Sequence, residues 1–518
     1  MIFMRNSLVI SALSNWTSII VNVLTSFVLT PFIIARLGTT GYGICVLVAS
    51  VVGYYGLLDI GLHSATIRYV ARHVGGGDRE SLERTVRTSI SLFFLLGILV
   101  IIISFFAADF LAGFFQIPGE QAAAFRHMVW LVGGAAGLGF PRRIFDAILM
   151  AYEKFVELNV LETSLTILRA GAIFWVLAAG WGLEGLGWAE LGVEVLNFSC
   201  KFTLMNSMRE EFHFLAFRIH GATAMALIGF GLLNFVALIG DTLRFNIDSA
   251  IIGSFLSLEA VGVYAVAFTL IRLLIRVSNA CTVVTFPRLS QLAARDMQEF
   301  RRNYMTYSRM TAVLCWGLAL GLILLSPGFI RLWVGESFRG AAIIAAILAA
   351  SLATDYGTTV SINALKALNR LQFFAAQTVL EGIAKAILSI WLVRDFGLIG
   401  VAAGTAIPLI INKVVVQPIY TTRIIGIRFR DYFREVVILP PAIAALVGFG
   451  IYYSGMIMPG SFLFLSFSGI AVSLIYAAAV VLFYLRPEER ERLREGAKKF
   501  ACYFQTAKKT EVTEEEVL

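Results

Sequence analysis

Apolar stretches long enough to cross a bilayer recur from one end of this chain to the other, and no other feature restricts its folding so severely. The run ISLFFLLGILVIIISFFAA (90–108) carries no charge over its whole length, and about 18–20 such residues suffice for one crossing. Inside hydrocarbon a backbone has no water to bond, so each segment must satisfy its own N–H and C=O groups, which makes helices the economical solution. The fold class is therefore all-α, a polytopic membrane protein. Composition agrees: 58% of residues are hydrophobic, 15% are charged and the mean hydropathy is +0.81, where soluble domains hold about 25% charge.

The pattern predicts about fourteen transmembrane helices, at roughly 8–35, 41–62, 88–112, 127–148, 158–179, 183–203, 223–253, 259–285, 310–328, 340–365, 372–393, 397–420, 436–456 and 462–485. The opening MIFMRNSLVISALSNWTSII has an apolar region broken by Ser and Asn and no A-x-A site, so it reads as span 1 and not as a signal peptide. Loop charge sets the orientation. With the N-terminus inside, one face carries 31 of the 42 Lys and Arg residues and the other five. By the positive-inside rule both termini are cytoplasmic and the protein is a multi-pass component of the cell membrane. The net charge of +8 is then a signal of topology and of contact with membrane lipids, not of nucleic-acid binding.

Cofactor chemistry finds no footing. The five cysteines (45, 200, 281, 315, 502) form no CxxC pair, and the five histidines form no HExxH cluster. GGGDRESLERTVR (75–87) lacks the Lys-Ser/Thr of a phosphate loop; there Asp78 is expected to cap a short amphipathic surface helix. No cofactor or metal is expected. RPEERERLREGAKKF (486–500) reads as a cytoplasmic surface helix, and the acidic end beyond it as disordered.

The chain also repeats itself at about 216–219 residues. FIIARLGTTGYGICV (32–46) lies over AIIGSFLSLEAVGVYAV (250–266), with Gly43 against Gly262. AYEKFVELNVLETSLTILRAGAIFW (151–175) lies over ALNRLQFFAAQTVLEGIAKAILSIW (367–391) without a gap, superposing Arg169 on Lys385 and Trp175 on Trp391. Each half would hold six spans, an even number, so the repeats run parallel about an axis along the membrane normal. The expected domains are an N-terminal six-helix lobe (1–222), a C-terminal six-helix lobe (223–435), two appended transmembrane helices (436–485) and a cytoplasmic tail (486–518).

FIIARLGTTGYGICVLVASVV followed by GLLDIGLHSATIRYVAR (56–72), with DSAIIGSFLSLEAVGVYAVA (248–267), resembles the polysaccharide transporter, or Wzx-type oligosaccharide flippase, family of the multidrug/oligosaccharidyl-lipid/polysaccharide superfamily. The resemblance runs to about residue 485. It implies two six-helix lobes with pseudo-two-fold symmetry around a cavity lined by spans 1, 2, 7 and 8. It also implies a substrate of polyprenyl-diphosphate-linked glycan moved by alternating access, with glycosyltransferases or a polymerase of the same pathway as partners.

Polar residues inside the spans mark where such a substrate would sit, because a charge at mid-bilayer costs roughly 2.5–3.5 kcal/mol on insertion scales. In span 7, Asn234, Asp241, Arg244 and Asp248 share one helical face. Span 8 repeats the device with Thr269, Arg272, Arg276 and Asn279, and span 1 presents Ser11, Asn15, Ser18, Asn22 and Thr25 to sugar hydroxyls. The expected substrate-binding set is Arg272, Arg276, Arg244, Asp241, Asp248, Asn15, Asn22, Arg169 and Lys385, with Arg272 and Arg276 on the diphosphate and Asp241 and Asp248 orienting Arg244. Bland alternatives stand beside this. Asp241–Arg244–Asp248 can be an ion network within one helix. Arg169 and Lys385 can hold their own lobes together through Glu162 or Glu190 and through Glu381. Glu190 and Glu194 on span 6 can pair with a nearby cation or face the cytoplasmic mouth. Asp59 is expected to cap a helix or pair with Arg68. Two other functions remain open: a cation-coupled drug antiporter of the same superfamily, which would want an acid-dominated cavity, and a membrane polymerase or glycosyltransferase, which would want a long outside loop bearing carboxylates.

Overall fold

The computed structural model describes residues 2–207, 217–370, 372–456 and 460–491. The side chains of Ser11, Asn234 and Asp241, and the tail from residue 492 with its expected surface helix, lie outside the described residues. Within them the regular structure is helical throughout, with no strand.

The helices are α1 (Ile2–Tyr55), α2 (Leu62–Gly76), α3 (Arg79–Phe114), α4 (Gly119–Ala151), α5 (Phe155–Ala178), α6 (Gly182–Ser207), α7 (Gly221–Phe255), α8 (Leu258–Thr282), α9 (Thr285–Arg295), α10 (Met297–Val334), α11 (Ala341–Gly357), α12 (Thr359–Ala367), α13 (Gln372–Ile411), α14 (Gln417–Ile425), α15 (Phe429–Tyr432), α16 (Leu439–Tyr453) and α17 (Phe462–Phe483). Spans 1 and 2, expected as separate helices, are the two limbs of α1, broken at Gly38 (φ 70°). Spans 11 and 12 are likewise the limbs of α13, broken at Gly397 (φ 54°). Left-handed φ is open to glycine without a Cβ clash, so one residue can break the helix. At roughly 1.5 Å per residue an unbroken helix the length of α1 would far exceed one bilayer crossing.

Nine stretches of the described chain are long and apolar enough to cross a membrane by length and composition, two of them the double-limbed runs Ser14–Asp59 and Ala376–Ile425. The helices α4 and α6 have the length but are less apolar, and α7 has the length and opens on a run, 222–239, that carries no charge. Counted with them, the helices are consistent with the fourteen expected spans. Asp78 is a helix cap, accepting a hydrogen bond from Ser81 N at 3.0 Å. The helix it caps is no short surface element, because α3 runs on for 36 residues into the membrane span.

Helix borders recur with the expected period. Breaks fall at Gly38 and Leu256, α3 and α10 begin at Arg79 and Met297, and α4 and α12 end at Ala151 and Ala367, spacings of 216–218 residues. Matched residues also meet. Thr40 Oγ1 donates to Glu259 Oε1, 219 positions away, at 3.2 Å. A Cβ added to Gly262 would lie 3.5 Å from Gly43 N. Equivalent residues touching across an interface is the mark of a two-fold relation. The cores interlock there as well: Tyr42 of α1 is buried among second-half residues such as Val261 and Ile344, and Leu258 of α8 among first-half residues such as Leu47.

Just before α2, Gly61 (φ 73°) packs on Gly231 of α7, whose carbonyl oxygen would lie 2.3 Å from an added Cβ. The appended helices α16 and α17 pack on α10. Buried Arg309 of α10 fastens them, reaching Glu435 at 3.0 Å, Glu489 at 2.7 Å and the carbonyl of Tyr484 at 3.0 Å.

A Cβ on Gly43 would sit 1.8 Å from the Leu258 carbonyl oxygen. Gly43→Ala is therefore expected to lower stability by roughly 1–3 kcal/mol, read as a fall in the thermal midpoint of the purified protein. Gly113→Ala, where an added Cβ meets nothing within 4 Å, should leave it unchanged.

Candidate substrate-binding site

Each half of the chain holds a buried network of charges, and apart from Arg142–Asp146 within α4 the partners come from different elements. In the second half Arg244 of α7 pairs with Asp355 of α11 and lies 3.9 Å from Glu381 of α13. Asp355 also meets Lys413 at 3.1 Å. Asp248 of α7 accepts from Lys385 of α13 at 3.0 Å and from Tyr264 of α8 at 2.7 Å. Glu381 and Gln377 close on Asn412, in the π-helical turn that follows α13. In the first half Arg142 of α4 reaches Asp146 at 2.9 Å and Glu194 of α6 at 2.6 Å. Lys201, fully buried, meets Asp146 at 2.6 Å and Glu162 of α5. Arg169 lies 3.3 Å from Glu190.

Two expectations are corrected by these contacts. Asp248 does not orient Arg244: both point away from their own helix to different partners, since helices packed side by side bring α11 and α13 closer than a turn of α7. Lys385 pairs with Asp248 and not with Glu381, which is turned toward Asn412 across the break in α13. Glu190 is confirmed as the partner of Arg169, and the pairing reading holds for Glu190 and Glu194. Asp59 caps α2 at His63 N (3.0 Å) but its ion partner is Arg143 at 2.8 Å. Arg68 instead lies over the Phe230 ring, 4.3 Å from its centroid.

Arg272 and Arg276 stand apart. Among the described residues neither has an ion pair, and both are exposed. Arg272 donates to Thr269 Oγ1 at 2.9 Å. Together they line a small cavity of about 60 Å³ with Val23, Ser26 and Phe27 of α1, so span 8 faces span 1 as expected. Asn22 lies one turn from Ser26 on the same limb and donates to Ser18 O at 2.9 Å; Asn15 is exposed. Ser26 was missed in the sequence, although its spacing of four from Asn22 puts it on the same stripe.

Adjoining this cavity and sharing Phe27 and Leu273 with it is an apolar groove of about 470 Å³. Its walls are α8, α10 and the appended α17, including Leu274, Leu318, Leu322, Phe329 and Leu465. Two guanidinium groups with no carboxylate partner among the described residues thus border an oily groove. Guanidinium forks match phosphate oxygens in pairs.

The sequence profile of a family described as polysaccharide biosynthesis protein matches residues 33–343. The chain belongs to this family. Its relatives include the "Putative O-antigen transporter" of Shigella flexneri, 22% identical over 395 residues, which is 75% of this chain and 92% of that one. The "Probable low-salt glycan biosynthesis flippase Agl15" of Haloferax volcanii is 25% identical over 280 residues, 53% of this chain and 58% of that one. Among solved structures, the inward closed conformation of the lipid II flippase MurJ superposes with a TM-score of 0.72 at 16% identity, covering 92% of this chain and 100% of that one. At that identity the likeness establishes the fold. This member of the polysaccharide biosynthesis protein family is thus a helical membrane protein of the transporter type.

The network in the second half generates a test. Lys385→Ala leaves Asp248 buried without its cation, a change expected to lower stability by roughly 3–5 kcal/mol and to reduce abundance in the membrane. Adding Asp248→Asn should recover part of the loss, measured as thermal midpoint and yield. Adding Glu381→Gln in its place should not.

Proposed function

We propose that this protein moves a lipid-linked oligosaccharide or polysaccharide precursor, carried on a polyprenyl diphosphate, across the cell membrane by alternating access. The observation that supports this most directly is the junction of Arg272 and Arg276, which have no ion pair among the described residues, with the apolar groove of α8, α10 and α17. The diphosphate would lie on the arginines, with charge-assisted hydrogen bonds, and the isoprenoid chain along the groove. The names of the relatives point the same way. Asn15 and Asn22 would face the glycan from α1. Arg244, Asp248, Lys385 and Arg169 would act at one remove, by holding the walls of the path in place. The same reading divides the chain into lobes at 1–222 and 223–435 with appended helices at 436–485. Glycosyltransferases that build the precursor and a polymerase that consumes it are the enzymes it would serve.

Replacing Arg272 or Arg276 with Ala is expected to abolish export of the glycan at normal protein abundance, scored by surface glycan and by immunoblot of the membrane fraction. Normal export from both variants would remove the arginines from the site. The orientation is tested separately. A cysteine at Gln298, in the first turn of α10, should react with an impermeant maleimide only from the cytoplasmic side. A cysteine at Glu336 should react only from outside.

A further inference from the structure

A third cavity, of about 240 Å³, lies inside the first half between α1, α4 and α6. It is charged where the groove is oily: Arg142, Arg143, Glu190 and Glu194 form its walls. Its floor is small, with Gly56, Ala135, Ala136 and Gly139 leaving the space that side chains would fill. Charge of this kind is expensive within a membrane and marks a substrate path or a wet chamber.

The wall groups are held in place but retain hydrogen-bonding capacity. A guanidinium carries five N–H donors. Arg142 directs Nε at Glu194 and Nη1 at Asp146. Arg143 directs Nη1 at Asp59 and is braced over the Phe140 ring, 4.7 Å from its centroid. Glu190 is one-third exposed and meets only the side of Arg169, at 3.3 Å. Fixed donors alternating with fixed carboxylate acceptors suit a ligand whose groups are donor and acceptor at once, which is what a sugar hydroxyl is. Two cations and two carboxylates balance, so the walls favour an uncharged ring over a uronic acid.

This cavity lies at about the same distance from the helix breaks as the arginine pair. Val52, in the third cavity, and Val23, in the arginine cavity, lie almost equally far from Gly38 along the two limbs of α1. Arg272 lies a similar distance from the matched break at Leu256.

We infer that this cavity is the pocket for an uncharged pyranose of the lipid-linked glycan, with Arg142, Arg143, Glu190 and Glu194 bonding its hydroxyls. The inference rests on the function proposed above. Gly56 supplies the test, since a Cβ added there meets nothing within 4 Å and its φ is not positive. Gly56→Leu would fill the cavity without touching an ion pair. Binding of geranyl diphosphate, and of geranyl diphosphate bearing one N-acetylglucosamine, would be measured on the full chain in detergent micelles.

The wild-type protein should hold the sugar-bearing probe about tenfold more tightly, equivalent to about 1.4 kcal/mol. Gly56→Leu should erase that preference and leave the bare diphosphate bound as before. Glu190→Gln, which keeps the volume, should erase part of it, so the test survives a folding defect in the leucine variant. Arg272→Ala should weaken both probes alike. A wild-type preference that persists in both cavity variants, or no preference in the wild type, would overturn the sugar pocket while the diphosphate site stands. Failure of the wild type to bind either probe would overturn the flippase reading, and the pocket with it.

Discussion

The structure depends on one constraint: a charge within a membrane must find a partner inside the protein. Arg142 and Asp146 of α4, Glu194 and Lys201 of α6, and Arg244 and Asp248 of α7 all meet partners in the two buried networks. Desolvating an ion costs several kcal/mol, which attraction offsets only with good geometry and further hydrogen bonds. Hence Asp248 has both Lys385 and Tyr264, and Asp355 both Arg244 and Lys413. The networks thereby fix the packing of α4, α5 and α6 in the first half and of α7, α8, α11 and α13 in the second. Arg272 and Arg276 lack such partners among the described residues and remain exposed, which is what a group waiting for an anionic ligand must do.

Much of this was legible in the sequence. The apolar spans, the boundaries between them near 38 and 397 and the repeat all follow from length, hydropathy and spacing, because each is a property along the chain. The stripe of Arg272 and Arg276 was legible for the same reason: absence of an acid at i±3 or i±4 can be read directly. Partners across helices could not be read that way. Asp355 in ASLATDYG looks like one polar residue in an apolar helix, and only packing brings Arg244 and Lys413 to it. Asp59 had Arg68 close in sequence, yet Arg143 of α4 reaches it first. The small floor of the third cavity was hidden because Gly56, Ala135, Ala136 and Gly139 serve equally well in tight packing, as Gly97 and Gly137 do elsewhere on α3 and α4.

The contrast between bonds within the halves and bonds between them bears on mechanism. Among the described residues no ion pair joins the first half to the second. The halves meet through close backbone approaches at Gly43, Gly61 and Gly231, through Thr40 and Glu259, and through Trp333, whose Nε1 donates to Phe27 O at 2.8 Å. Such contacts part without stranding a buried charge. Alternating access by rigid-body rocking needs that ordering, firm lobes and a separable seam.

The appended helices then belong mechanically to the second half. Arg309 ties α10 to Glu435 and Glu489, and Tyr484 closes the same knot through its hydroxyl on the Glu435 carbonyl at 2.6 Å. The apolar groove is made almost wholly of second-half and appended residues, with Phe27 alone reaching in from α1. The charged cavity is made wholly of first-half residues. A substrate with an oily tail and a polar head would thus be gripped by different bodies at its two ends. Rocking of one half against the other would turn the head relative to the tail, with the arginine pair between them on the α8 face that meets α1.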